Sequence, residues 1–213
     1  GIGLDDSVAS IKGLANWAAV AGANSEATSR AMYQLSQAMA AGTVKLQDWM
    51  SLENAGIATK QFQDQLIQTA KIHGKNVDEM IAKNGSFRLS LQEGWLDQEI
   101  MMETLKQMAG EYSDEQLLSM GYTEEQIAQI QELAKTGMSA AQDIKTFSQL
   151  MGVIGEELGS SWAQSFRIIF GDFEQAKELW SKVGAFLTGP SGVITQMGNA
   201  RNALLQGWAD LGG

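Results

Sequence analysis

Apolar residues recur every three or four positions along most of this chain, the spacing of α-helices that bury one face. One such stretch covers residues 24–42, and a shorter one places Leu46, Trp49 and Met50 on one side. A third begins near Thr59. Almost no segment alternates apolar and polar residues as a half-buried strand does. The pattern therefore predicts an all-α fold.

The middle of the chain carries explicit helix-start signals. Capping boxes, in which two side chains satisfy the free amides of the first turn, are predicted at Asn76, Ser113 and Thr123. Asp97 is predicted to begin a further helix. Helices of one to four turns are too short to be stable alone in water. They are predicted to pack on each other as a compact multi-helix domain over residues 24–137.

A longer apolar stripe follows residue 137, with spacings of three or four that average about 3.6, the period of a straight helix. Its members are Ile144, Phe147, Met151, Ile154, Leu158, Trp162, Phe166, Ile169, Phe173, Ala176, Trp180, Val183 and Leu187. A continuous helix here would be about 65 Å long. Glycines leave breaks open near residues 155–160 and 171.

The large aromatic side chains of this stripe predict self-association, because they are too many for one exposed helix. The candidate contact residues are Phe147, Met151, Ile154, Leu158, Trp162, Phe166, Phe173 and Trp180. The alternative is that the stripe packs onto the 24–137 domain of the same chain.

The predicted architecture is all-α, with short packed helices followed by a long amphipathic helix punctuated by glycines. Residues 1–23 form a helical lead-in rich in small residues, and residues 24–137 form the compact domain. Residues 138–188 form the long helix, and residues 189–213 form a linker and a further helix. Because the chain begins with Gly1 and lacks an initiator Met, we expect a window of a longer polypeptide.

Composition narrows the classes of function. The chain has 213 residues with 25 acidic and 15 basic side chains, and its net charge of −10 disfavours direct nucleic-acid binding. It has no Cys, which excludes disulfides and thiolate metal sites. No apolar run is long enough for a simple transmembrane helix. In residues 13–23 the alanines and glycines are better explained by close helix packing than by membrane contact.

The side chains that could carry chemistry have simpler explanations. His73, the single histidine, lies at a predicted helix end, where packing or a favourable dipole contact is expected. The adjacent carboxylates Asp5–Asp6 and Glu156–Glu157 fit solvated helix faces better than a glycosidase pair. We therefore predict no catalytic residue, no metal site and no cofactor, and we expect that the protein is not an enzyme.

One short segment is similar to a known binding loop. LSMGYT at residues 118–123 resembles the Met-Gly-aromatic loop of ubiquitin-associated domains. A glycine turn followed by a helix start gives the same string for local reasons. A structural role for this segment is the simpler interpretation.

Several passages resemble, in the expected order along the chain, the tape measure proteins of long-tailed bacteriophages. They are AMYQLSQAMAAGTVKLQDW (31–49), NVDEMI (76–81) with GSFR (85–88) and GWL (94–96), GYTEEQI (121–127), KTFSQL (145–150) with SSW (160–162) and IIFGDFEQAK (168–177), and ARNALLQGW (200–208). The family usually has Gly-Met where this chain has Gly56-Ile57, a conservative difference.

This resemblance implies a rod-like structural protein of the virion, made in the host cytoplasm and enclosed in the phage tail. It sets the length of the tail tube and leaves ahead of the genome at infection. The implied partners are further copies, with a trimer favoured, the tail tube and tail tip proteins, tail assembly chaperones, and a membrane at infection. The alternatives are a membrane-active or cell-wall-associated helical segment of a tail protein, and an unrelated helical scaffold.

Overall fold

The computed structural model describes residues 4–23 and 25–142, and this part of the chain is helical without strands. Its α-helices are α1 (Leu4–Ala21), α2 (Ser25–Ala40), α3 (Leu46–Asn54), α4 (Lys60–Ile72), α5 (Val77–Asn84), α6 (Phe87–Ser90), α7 (Gln98–Met108), α8 (Asp114–Met120) and α9 (Glu124–Gln142). A 3₁₀-helix, η1, covers Leu91–Glu93. The predicted all-α class is confirmed for these residues. The predicted long helix lies outside them, apart from residues 138–142.

Five aromatic side chains form the centre of the core. The rings of Trp17 and Phe62 stack with centroids 4.6 Å apart, and the Trp49 ring lies 5.9 Å from that of Phe62. Phe87 contacts Trp49 at 4.8 Å and Trp95 at 5.5 Å. Tilted and edge-to-face pairs at this range add attraction beyond the apolar area that they bury. These rings join α1, α3, α4 and α6 to the loop before α7.

The central helix is α7, which packs against α1, α4 and α9. α1 approaches it most closely at Gly13, where a Cβ would collide with the backbone carbonyl of Leu105. In α9, Gly137 lies against Met108 and the Cβ of Asn16. Small residues let helix backbones approach to distances that larger side chains prevent. The close packing predicted for the small residues of α1 is confirmed at Gly13.

Most helices begin where the sequence signals predict. The capping box at Ser113 is complete, with bonds of 3.2 and 2.8 Å between this residue and Gln116. Thr123 and Gln126 repeat it at 3.3 and 2.8 Å. The Asp97 carboxylate accepts a backbone N–H of the first turn of α7 at 3.0 Å. The starts of α7, α8 and α9 are therefore predicted correctly from local sequence.

Two local predictions are wrong. Asn76 precedes α5, but its side chain makes no capping bond to the backbone and donates instead to the Glu79 carboxylate. Its backbone has φ −85° and ψ 61°, which is not the extended conformation of a typical capping residue. The second concerns Met50, which is predicted on the apolar side of α3 together with Trp49. It is 37% exposed, because Trp49 and Leu52 fill the buried side of α3.

A second, smaller apolar cluster connects α8 to α9. Leu117, Tyr122, Ile127 and Ile130 are buried in it, and Tyr112 packs against it. Each tyrosine directly precedes a helix-capping residue and packs in the same cluster as an apolar residue of the following helix, which is the arrangement of a hydrophobic staple. Tyr122 is buried, which supports a local structural role for the segment that resembles a ubiquitin-binding loop.

α1 shares the main core with the later helices, because Leu14, Trp17 and Ala18 are buried in it. α9 continues through Gly137 without a break. The segment boundaries proposed from the sequence stay predictions. The apolar stripe of residues 144–187 lies outside the described part of the chain.

Candidate functional site

The most distinctive feature of the described helices is a buried group of polar side chains between α4, α7 and the turn that joins α8 to α9. The group, called the polar network below, consists of Gln65 and Thr69 on α4, Glu103, Thr104 and Gln107 on α7, and Tyr122, with His73 at its edge. Buried polar groups are costly unless they are hydrogen-bonded. The geometry therefore has to supply partners for each of them.

The Glu103 carboxylate is the only charged group in the network that is almost fully buried, and three side chains surround it. His73 Nε2 lies 2.6 Å from one of its oxygens. The Tyr122 hydroxyl donates to the other oxygen at 2.7 Å, and Gln107 Nε2 donates to that oxygen at 3.3 Å. Hydrogen bonds to a carboxylate are roughly twice as strong as those between two neutral groups. They offset part of the cost of burying Glu103.

Gln107 connects this carboxylate to α4. Its Oε1 accepts from Gln65 Nε2 at 2.6 Å, while its Nε2 donates to the Tyr122 hydroxyl at 2.6 Å. The side chains of Thr69 and Thr104 meet at 3.0 Å, so a second bond also joins α4 to α7. Because each member bonds to a different helix or turn, the network fixes the relative register of these segments.

Burial is the main cause that raises the pKa of Tyr122 above its ordinary value of 10.0. A hydrogen bond with Thr69 opposes this shift, and the nearby charge of Glu103 adds to it. The phenol is therefore kept neutral, which allows it to donate to Glu103. A neutral donor beside a buried carboxylate is a stabilising arrangement.

A partly exposed group of contacts surrounds Lys106, which lies in the last turn of α7 next to Gln107. Lys106 Nζ donates to the Asp6 carboxylate of α1 at 2.8 Å and lies 5.3 Å from the centre of the Tyr112 ring. The bond to Asp6 is the main cause that raises the pKa of Lys106. Burial is the main cause that raises the pKa of Tyr112. These contacts hold α1 and the start of α8 against α7.

What these side chains do in the structure is fix the positions of helices relative to one another. Within residues 4–23 and 25–142 no three His, Cys, Asp or Glu side chains come together as a metal-binding group. None of the described helices is both long and apolar enough to cross a membrane. His73 and Glu103 form a pair, and the hydroxyl groups near them, those of Thr69, Thr104 and Tyr122, are buried. The arrangement supports a role in holding helices together.

Sequence reasoning singled out two members of the network, His73 and, within the segment 118–123, Tyr122, but it predicted no contact of either with Glu103. His73 is predicted at the end of its helix without a visible partner, and the structure places it there and pairs it with Glu103. A signal for others was present, because Gln65 and Thr69 interrupt the apolar face of α4, and the face of α7 is interrupted in the same way. The eight residues predicted to mediate self-association lie outside the described residues.

Comparisons of this chain with protein-family models, with curated proteins and with solved structures give no match.

Proposed function

We propose that this chain is a structural, non-catalytic segment of a bacteriophage tail tape measure protein. One observation carries the proposal: several passages, distributed from residue 31 to residue 208, resemble that family in the expected order. A match of separate passages in sequence order is more specific than a single motif. On this proposal the protein sets tail tube length and leaves the tail ahead of the genome.

The organisation of the described helices is compatible with such a role. The side chains of the polar network join neighbouring helices to each other. Most of the apolar side chains are buried in the two clusters. The proposed partners are further copies, in a trimer, the tail tube and tail tip proteins, assembly chaperones and, at infection, a membrane. The proposed location is the interior of the tail, after synthesis in the host cytoplasm. The acidic charge argues against direct contact with nucleic acid.

The test is a set of in-phase deletions in the phage that encodes the chain. Removing 11 residues within 139–187 keeps the apolar stripe in phase and shortens a helix by about 16 Å per chain. Removing 22 residues shortens it by about 33 Å. Tail lengths measured by electron microscopy should fall accordingly. Viable particles with unchanged tails would remove the length-setting role from this segment.

Equal deletions within residues 60–137 are the matched control. They should lower particle yield and leave the tail length of surviving particles unchanged, because short helices depend on their neighbours for stability. Two further assays separate the alternatives. Leakage of liposomes would favour a membrane-active segment, and clearing of purified peptidoglycan would favour a cell-wall hydrolase.

A further inference from the structure

The end of α5 carries the dipeptide Asn84–Gly85, the one place in the sequence where Asn precedes Gly. In this dipeptide the glycine amide attacks the asparagine side chain more readily than any other residue's amide does, because glycine has no side chain to obstruct the approach. Asn84 is the last residue of the helix, and Gly85 follows in the left-handed conformation with φ 84°. The rate at which Gly85 attacks the Asn84 side chain therefore depends on how the fold holds these two residues.

Three side-chain bonds hold the Asn84 amide. Its Nδ2 donates to the Met80 carbonyl at 2.8 Å and to the Glu93 carboxylate at 3.1 Å. Its Oδ1 accepts from Gln92 Nε2. The end of α5 is thus attached to η1 through this one amide, and Lys83 Nζ reaches the same Glu93 oxygen at 3.0 Å.

The backbone is held as firmly as the side chain. The Gly85 N–H donates to the Ile81 carbonyl at 2.8 Å, so the attacking nitrogen is engaged in the helix end. Helical backbone at Asn84 also directs that nitrogen away from the side-chain carbon. Attack requires that the Gly85 bond breaks and that the Asn84 backbone leaves its helical conformation.

We propose that Asn84–Gly85 is a fold-gated deamidation site. It is inert while the end of α5 is bound to η1, a contact called the α5–η1 corner, and it becomes reactive when this corner opens. In the reaction the Gly85 nitrogen, after losing its proton to solvent, forms a bond to Asn84 Cγ. The Cγ–Nδ2 bond breaks as Nδ2 takes a proton from solvent, and ammonia leaves, giving a cyclic imide. Water then opens the ring, so residue 84 becomes aspartate or isoaspartate. No oxidant or cofactor is needed.

The product prevents the corner from closing as before. A carboxylate at position 84 has no N–H to give to the Met80 carbonyl and lies against Glu93 with the same charge. The bond from Asn84 is the main cause that lowers the pKa of Glu93, with Lys83 adding to it. The Lys83 bond does not depend on residue 84, so Glu93 stays ionised after the reaction and repels the new charge. Negative charge at a helix C-terminus is also unfavourable. The modification therefore records that the corner has been open.

The first experiment compares reaction rates in two states of the full chain. The chain is incubated in mildly alkaline buffer, folded or in guanidinium chloride, and the acid at residue 84 is quantified by peptide mass spectrometry. Deamidation should be at least about tenfold slower in the folded chain, because it must wait for local opening. Asn54, which ends α3 and precedes Ala55, is the control and should react slowly in both states. Equal rates at Asn84 in the two states would overturn the proposal.

The second experiment tests the consequence of the reaction with variants. Asn84→Asp should lower the midpoint of urea unfolding more than Asn84→Ala does, because only the former adds a charge beside Glu93. Adding Glu93→Gln to Asn84→Asp should restore part of the loss, since it removes the repulsion and keeps the shape. An Asn84→Asp variant as stable as the unmodified chain would contradict the proposed consequence.

Discussion

His73 Nε2 lies 2.6 Å from a carboxylate oxygen of Glu103, which joins the C-terminal end of α4 to the middle of α7. The side chain of His73 is 22% exposed, whereas that of Glu103 is 8% exposed. The pair is therefore the point where the buried polar network reaches the surface. Behind it the Tyr122 hydroxyl donates to the other oxygen of the same carboxylate.

Removing the Tyr122 hydroxyl should destabilise the fold at neutral pH. Tyr122→Phe leaves the buried Glu103 carboxylate with one donor fewer and takes an acceptor from Gln107. The free energy of unfolding should fall by about 1–3 kcal/mol. Urea unfolding followed by tryptophan fluorescence measures it. Tyr33→Phe on α2 is the control, because its ring is partly buried but its hydroxyl makes an exposed bond, accepting from Gln37 at 3.0 Å. It should cost less than about 0.5 kcal/mol; equal losses would contradict the network's importance.

The stability of the fold should also decline in alkaline solution. Because burial raises the pKa of Tyr122, the unfolded chain loses this proton at lower pH than the folded chain does. The contribution of Tyr122 is fully present below about pH 10 and is lost as the pH rises above that value. Between about pH 9 and about pH 11, Tyr122→Phe should therefore lose less stability than the unmodified chain. Parallel pH curves for the two proteins would be inconsistent with the raised pKa.

The two buried glycines of the helix crossing should respond differently to alanine. A Cβ at Gly13 meets the Leu105 backbone carbonyl, which cannot move without displacing α7. A Cβ at Gly137 meets chiefly the flexible end of Met108, at 2.5 Å. Gly13→Ala should cost about 1–3 kcal/mol or more, despite the helix propensity gained. Gly137→Ala should cost less, and the reverse order in thermal melting would show that α1 and α7 can separate freely.

Alanine substitutions at two helix starts, Ser113 before α8 and Asn76 before α5, should also differ in how much stability they cost. Ser113→Ala removes a side chain that accepts from the Gln116 backbone, so it should destabilise by about 1 kcal/mol. Asn76→Ala removes no side-chain bond to the backbone and should cost less, since the Asn76 side chain donates to the Glu79 carboxylate instead. Circular dichroism melts of the two variants make the comparison. A larger loss for Asn76→Ala would mean that its backbone cap forms in solution.

The apolar stripe of residues 144–187 should drive self-association of the full chain. Trp162→Ser and Phe166→Ser remove aromatic side chains from the stripe and should shift analytical ultracentrifugation profiles towards monomer. Val153→Ser, on the opposite side of a predicted helix, is the control and should leave them unchanged. An unmodified chain that stays monomeric at high micromolar concentration would favour packing of the stripe onto its own chain.

Much of the fold of the described residues could be predicted from local sequence. The starts at Asp97, Ser113 and Thr123 depend on side chains that bond to backbone within one turn, so neighbouring residues determine them. The stop after α2 at Gly42 has φ 91°, which glycine adopts without the strain that a Cβ brings. The all-α class follows from the spacing of apolar residues.

The candidate site depended on tertiary structure. His73 and Glu103 are thirty residues apart, and Tyr122 lies nineteen residues beyond Glu103. No local rule aligns them, because their contact depends on how α4 packs against α7 and on how the turn between α8 and α9 folds back onto both. Local bonds determine where helices begin and end. Which members of the polar network meet is decided only when all the helices pack, because their bonds run between α4, α7 and the turn that carries Tyr122.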